Sequence, residues 1–251
     1  MADNNPIGEA TAADVVALRN LWHTKDHPFF VEFHEGKIGL DALGALMVQH
    51  YQHVDRVLPS LGIAIYKATG EARKFMIENL AEEAGLLGGN HGERDAQDHM
   101  ELIYRFCRAA GYDKETVQAA EQLPAWRARS YFYLNVVREE PIGVIVAMQS
   151  TQEGQQPAIN IERVIPAMEK LHGYKMDSPE IEFFTEHAVA DQEHSGRQIK
   201  LVAELVRDED TRARALLVAE TALRTRWACM NDIYRVAVKG ERDPLPQGVA
   251  A

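Results

Sequence analysis

An all-α fold is predicted from three features of the sequence. Apolar residues recur at helical spacing in one segment after another, prolines and glycines fall at the segment boundaries, and no alternating strand-and-turn rhythm appears. No linker or repeat divides the 251 residues, so one helical-bundle domain of seven to ten helices is expected. Polar tails over about 1–12 and 240–251 are read as mobile ends.

In chain order, residues 14–22 read as a first helix. Pro28 opens a short aromatic helix that Gly36 closes. A long helix is expected over about 40–69 with a kink at Pro59, because proline removes one internal hydrogen bond and crowds the preceding turn. Residues 71–83 form the next helix, ended by the glycine-rich stretch that starts at Gly85. Helices follow over about 96–110, 113–122 and 125–138. The run over 142–148 is apolar all round, and its continuation to Glu153 favours a fully buried helix over a strand. Pro157 restarts helix to residue 171. The last two long helices are expected over 179–206 and 210–238.

Composition narrows the function. Hydrophobic residues make up 46% and charged residues 26%, enough apolar material for a substantial core. A formal charge of −11 argues against nucleic acid or an anionic membrane as partner. Two distant cysteines, Cys107 and Cys229, make no disulfide framework and fit a reducing, cytoplasmic setting. The N-terminus lacks the basic start and apolar run of a signal peptide, and no stretch approaches the ~20 apolar residues of a membrane span.

The chemistry concentrates at His187, Asp191 and His194. Their offsets of 0, 4 and 7 place them at about 0°, 40° and −20° around a helix, so all three project from one face. Imidazole and carboxylate are the ligand set of zinc, iron or manganese. The alternative is a solvated helix face carrying two chance histidines. Glu153 ends an almost wholly apolar helix, where a buried carboxylate needs a cation or a strong hydrogen bond to stay ionised; a solvent-facing helix end is the plainer account. Glu82 and Glu83 end another helix, and adjacent acids point about 100° apart, so only one is expected to face the core. His99 opens the next helix, with His91 as its competitor. His50 and His53, three apart in an unusually polar stretch, suit a substrate cavity or second metal site. An exposed face plus one hydrogen-bonded core histidine is the favoured account there.

At these residues the chain resembles the haem-oxygenase-like dimetal oxidases of the TenA/PqqC superfamily of seven-helix bundles, and within them the CADD proteins of para-aminobenzoate synthesis. The resemblance runs over about 22–206. It is carried by His27-Pro28-Phe29-Phe30, Glu78-Asn79-Leu80-Ala81-Glu82-Glu83, Asp98-His99-Met100-Glu101-Leu102, Glu153-Gly154-Gln155-Gln156-Pro157 and Phe183-Phe184-Thr185-Glu186-His187 with Asp191 and His194. It implies a bundle of about seven core helices and metal ligands at Glu83, His99, Glu153, His187, Asp191 and His194. That set is enough for two ions with open positions for O₂ and substrate. Iron is the expected metal, an iron–manganese pair the alternative. Residues 86–97 are longer than their counterpart in the CADD proteins, which keeps His91, Glu82 and Glu93 as alternative ligands.

The resemblance also sets limits. Phe30 stands where the CADD proteins have the tyrosine they are thought to consume, and Arg163 replaces their helper lysine. The expectation is therefore an O₂-dependent oxidase acting on an external small molecule, with an external reductant and the homodimeric state common among relatives. Phe30, His50, Tyr51, His53 and Arg163 are the candidate substrate-pocket residues. A cofactor-free oxidase of the PqqC type, in quinone cofactor biosynthesis, is the runner-up. It places an arginine where this chain has Gln49. CADD-like para-aminobenzoate synthesis and a non-enzymatic interaction protein are further alternatives. Thiamin-fragment hydrolysis as in TenA needs an activated cysteine, whereas Cys107 and Cys229 sit among core residues.

Overall fold

A computed structural model describes residues 5–86 and 98–242, and no strand occurs among them. The α-helices are α1 (Pro6–Leu21), α2 (Pro28–His34), α3 (Leu40–Val57), α4 (Leu61–Lys67), α5 (Gly70–Glu83), α6 (His99–Ala109) and α7 (Lys114–Ala119). They continue with α8 (Pro124–Glu139), α9 (Ile142–Glu153), α10 (Gln156–Ile159), α11 (Ile165–His172), α12 (Glu182–Leu205) and α13 (Glu209–Ile233). Short 3₁₀ turns at Leu58–Ser60 and Pro179–Ile181, and π-helical turns at Asn160–Val164 and Tyr234–Val238, join or extend them.

Helix α9 is the central element. Residues 144–148 are fully buried, as expected of a helix apolar all round, and it packs most extensively against α12 and α13. α13 also packs on α8, α1 lies against α12 and α13, and α3 packs on α6 and α8. The apolar interior divides into two clusters. One gathers α2, α3, α6 and α11 around Phe29, Phe33, Phe106 and Phe184. The other gathers α1, α4, α5, α8 and α9 around Phe75, Met76, Ile145 and Met148. Polar side chains collect where the two meet.

Four departures from the sequence reading have physical causes. Helix α1 begins at Pro6, not near residue 14, because Asn5 caps it. The Asn5 Oδ1 accepts from Gly8 N (3.2 Å), and its Nδ2 donates to the carbonyls of Ala203 (2.6 Å) and Val206 (2.9 Å), fastening the N-terminal segment to the end of α12. The expected kink at Pro59 is a full interruption, a 3₁₀ turn between α3 and α4. The helix expected over 157–171 is broken by the π turn at Asn160–Val164, which ends two residues before Pro166, a residue with no N–H to continue the α-helical pattern. Helix α13 ends at Ile233, five residues short of the expected limit, and continues as the second π turn.

Candidate metal centre

Three helix ends and one helix face converge on an interior cavity of about 110 Å³. Helix α12 crosses it with His187, Asp191 and His194 on one face. Glu153 enters at the last turn of α9, Glu83 at the last turn of α5, and His99 at the first residue of α6. Their ligand atoms form two triads: Glu83, His99 and His187, then Glu153, Asp191 and His194. Within each triad all atoms lie within 4.8 Å of one another. His187 and Asp191 are one turn apart on α12, so the triads are offset by about 6 Å along it.

In the first triad His99 Nδ1 lies 2.9 Å from Glu83 Oε2, and the His99 and His187 rings are 4.6 Å apart. His187 Nδ1 donates to the Phe183 carbonyl (2.7 Å), which leaves its Nε2 lone pair for a cation. Burial opposes charge on both members of the Glu83–His99 pair. Their mutual attraction wins, holding Glu83 at about 2 and raising His99 to about 9. Burial, and then the neighbouring His99, push His187 down to about 4.

In the second triad His194 Nε2 donates to Glu82 Oε2 (2.6 Å), so its Nδ1 is turned toward Glu153 Oε2 (3.8 Å) and Asp191 Oδ1 (4.0 Å). Of the two adjacent acids Glu83 lines the cavity and belongs to a triad, whereas Glu82, partly exposed, reaches only His194 from outside. Burial first, and then repulsion between carboxylates, raise Glu153 to about 7 and Asp191 well above the usual range. The Glu153 Oε2 atom is buried without a hydrogen-bond partner. Crowded, desolvated carboxylates with an orphaned oxygen, beside imidazoles held with one nitrogen free, are a donor set suited to divalent cations.

The remaining candidates divide. His50 and His53 line this cavity and a second one of about 40 Å³, which Phe30 also lines. Tyr51 lines neither; it packs against the apolar interior. Arg163 points away from both, donating from Nε to the Lys25 carbonyl (3.1 Å) and facing Asp26 (3.5 Å). Beside the 3₁₀ turn Thr24–Asp26, it lines neither cavity. His91 and Glu93 lie outside the described residues. Gln49 bridges the α7–α8 connection, donating to the Glu121 carbonyl (2.9 Å) and accepting from Leu123 N (2.7 Å). Burial pushes the thiols of Cys107 and Cys229 up to about 12, so neither is an activated nucleophile.

The sequence reading missed two arginines. Arg129 on α8 and Arg226 on α13 line the smaller cavity, with Gln152, Gln156 and Asn160. An arginine on a helix ordinarily reads as solvated, and no neighbouring residue signals that these two turn inward.

A chain, helical among the described residues, that brings three imidazoles and three carboxylates together in two triads beside an interior cavity has the make-up of a helical-bundle metalloprotein. A family model described as "Iron-containing redox enzyme" matches residues 45–227, and the chain belongs to that family; it is an oxidoreductase. It is 26% identical over 190 residues to the 4-aminobenzoate synthase of Chlamydia muridarum, covering 74% of this chain and 75% of that protein. Among solved structures it is similar to a domain of unknown function with a heme oxygenase-like fold from Shewanella denitrificans. That match has a TM-score of 0.73 and 16% identity, over 93% of this chain and 96% of the other. A TenA homologue from Pseudomonas syringae matches with a TM-score of 0.71 and 12% identity, over 91% and 93% of the two chains. These two likenesses establish the haem-oxygenase-like fold. No helix among the described residues is long and apolar enough to cross a membrane.

Proposed function

We propose that the chain is a non-haem dimetal oxidase, di-iron in its working form, that uses O₂ to oxidise a small external organic substrate in a biosynthetic pathway. Glu83, His99 and His187 would hold one ion; Glu153, Asp191 and His194 would hold the other. The observation that carries this reading is the pair of triads on successive turns of α12, inside a chain of an iron-containing redox family. When bound, a pair of reduced iron ions with vacant positions supplies the electrons that dioxygen reduction requires. An external reductant would restore them.

The protein's own part is to position, to exclude water and to hold protons. Val54, Val57, Ile103 and Phe183 wall the cavity with hydrocarbon, which keeps bulk water from the reacting groups. His53 stands in the cavity wall as a neutral imidazole, because burial opposes its charge. Its Nδ1 lies 2.9 Å from the Ser130 hydroxyl, which also accepts from Gln122 Nε2 (2.8 Å), and these contacts fix the orientation of the ring. Glu82 fixes the orientation of His194.

A second reading takes up the activity named for the Chlamydia relative. One observation favours it: Tyr133 lines the metal-site cavity, with its hydroxyl accepting from Arg129 Nη2 (2.8 Å), although Phe30 offers no phenol. The test is to expose anaerobically iron-loaded protein to O₂ while following dissolved oxygen and intact mass. The oxidase reading predicts metal-dependent oxygen uptake and a chain of unchanged mass. Uptake no greater than that of chelator-treated protein contradicts it. A mass change mapping to Tyr133 establishes self-consumption instead.

A further inference from the structure

The smaller cavity is bounded by α3, α8, the end of α9, the π turn at Asn160–Val164, α12 and α13. It shares His50, His53, Gln152, Gln156 and Phe183 with the metal-site cavity. Most of its wall is hydrocarbon, from Phe30, Leu43, Leu46, Met47, Val164 and Met230. Two guanidinium groups stand in this wall. Arg129 is 2% exposed and gives its hydrogen bonds to the Ala222 carbonyl, Thr225 Oγ1, the Tyr133 hydroxyl and Gln152 Oε1. Arg226 gives Nη1 to the Gln152 carbonyl (3.1 Å) and Nη2 to Gln156 Oε1 (2.8 Å). All of these partners are neutral. Among the described residues, neither arginine has a carboxylate within ion-pair distance, whereas most other arginines in the structure pair with one.

Cations without a counter-ion in an interior are costly, more so for the buried Arg129 than for the half-buried Arg226, and an interior usually supplies the opposite charge. The nearby acids cannot serve if they bind metal. Glu83, Glu153 and Asp191 carry three negative charges against four positive charges on two divalent ions. The loaded site is then at least neutral even when Glu82 is counted, and both arginines remain uncompensated. Donors also outnumber acceptors. Gln152 and Gln156 already spend their carbonyl oxygens on the arginines, and the indole N–H of Trp126, in the same wall, is buried without a partner. A ligand that satisfies this cavity must bring negatively charged acceptors on a hydrocarbon body. Burial and the proximity of Arg129 lower Arg226 to about 10, still cationic at neutral pH, so the demand for an anion persists.

We infer that the substrate class is a small carboxylic acid with an apolar body, whose carboxylate pairs with the Arg226 guanidinium while its body extends past the shared wall into the larger cavity of about 110 Å³ at the metal site. The inference rests on the oxidase reading above. Arg226 retains unused N–H donors in the planar fork that matches a carboxylate. Arg129, with both terminal nitrogens engaged, contributes field rather than contacts. The shared wall places the far end of such a ligand beside His50, His53 and the triads.

The test is calorimetric, on anaerobically iron-loaded protein. It uses 3-phenylpropionate and hexanoate as probes, with 3-phenylpropanamide and hexanamide as their neutral counterparts. Each acid should bind about tenfold to hundredfold tighter than its amide, the range of a buried charge-assisted contact. R226Q should remove that preference by weakening the acids alone, with amide affinity and metal content unchanged. R226K should restore part of it. Equal binding of acid and amide to the unmodified protein, no binding of either acid, or equal losses for acid and amide in R226Q would overturn the inference. Metal content of the same samples reports separately on the oxidase reading: a chain without metal that still prefers acids sinks that reading and not the anion site.

Discussion

His53 is held neutral in a buried position, its Nδ1 in a hydrogen bond with the Ser130 hydroxyl, and burial depresses its pKa well below the usual histidine range. The linkage sign follows. Above about pH 6.5 the ring is neutral in both folded and unfolded chains. As pH falls below that value the unfolded chain takes up a proton that the folded chain refuses, so stability drops by up to about 1.4 kcal/mol per pH unit for this group. Urea denaturation at pH 7 and pH 5 should therefore show a smaller loss of stability in H53Q than in the parent protein. Identical losses would mean that His53 is protonated in the fold. Glu82 makes a different prediction, because it orients His194 from outside the second triad. E82A should weaken metal binding there by about tenfold to hundredfold in a competition with a chelator, and unchanged affinity would remove Glu82 from the site. At this scale the α12 face was legible because a 3.6-residue repeat converts spacing directly into direction. Glu153 was legible because it ends an apolar helix. Arg129 and Arg226 were not, since their inward direction depends on which neighbours α8 and α13 meet.

The helices place these groups only as well as they pack against one another. Gly8 lets α1 approach the C-terminal end of α12 so closely that a Cβ there would meet the Ala203 carbonyl oxygen at 1.9 Å. Backbone cannot yield as a side-chain tip does, so G8A should destabilise the protein by about 1–3 kcal/mol in urea, the usual cost of overpacking. A neutral result would show that α1 is free to shift. In α9, Met148 is fully buried one turn before Glu153. M148A should cost about 2–5 kcal/mol through the cavity it leaves. Apolar periodicity and proline punctuation exposed most elements and the position of the irregularity at Pro59, although as a kink and not as the interruption it is. Two kinds of feature stayed hidden. The early start of α1 rests on long-range bonds from Asn5 to the end of α12. The π turn at Asn160–Val164 rests on Pro166 together with the Asn160 Nδ2 donation to the Phe184 carbonyl (3.0 Å), a contact between segments 24 residues apart.

At the scale of the whole molecule, the two apolar clusters act as jaws around a polar seam, and every proposed ligand stands in that seam on a helix anchored in hydrocarbon. An interior holding crowded carboxylates is stable only with compensating charge, which the bundle gathers from four helices and leaves to be completed by cations. The helical architecture was legible from the sequence because every helix needs an apolar stripe. The division of the core was not, because it depends on pairings between distant segments. The measurement that bears most directly on the account is the metal content of the full-length chain after anaerobic Fe(II) loading and gel filtration, for the parent protein and for D191A and H187A. The account predicts about two iron ions per parent chain, with D191A and H187A, one in each triad, each losing at least one. Less than one ion in the parent, or full retention by both variants, would contradict it.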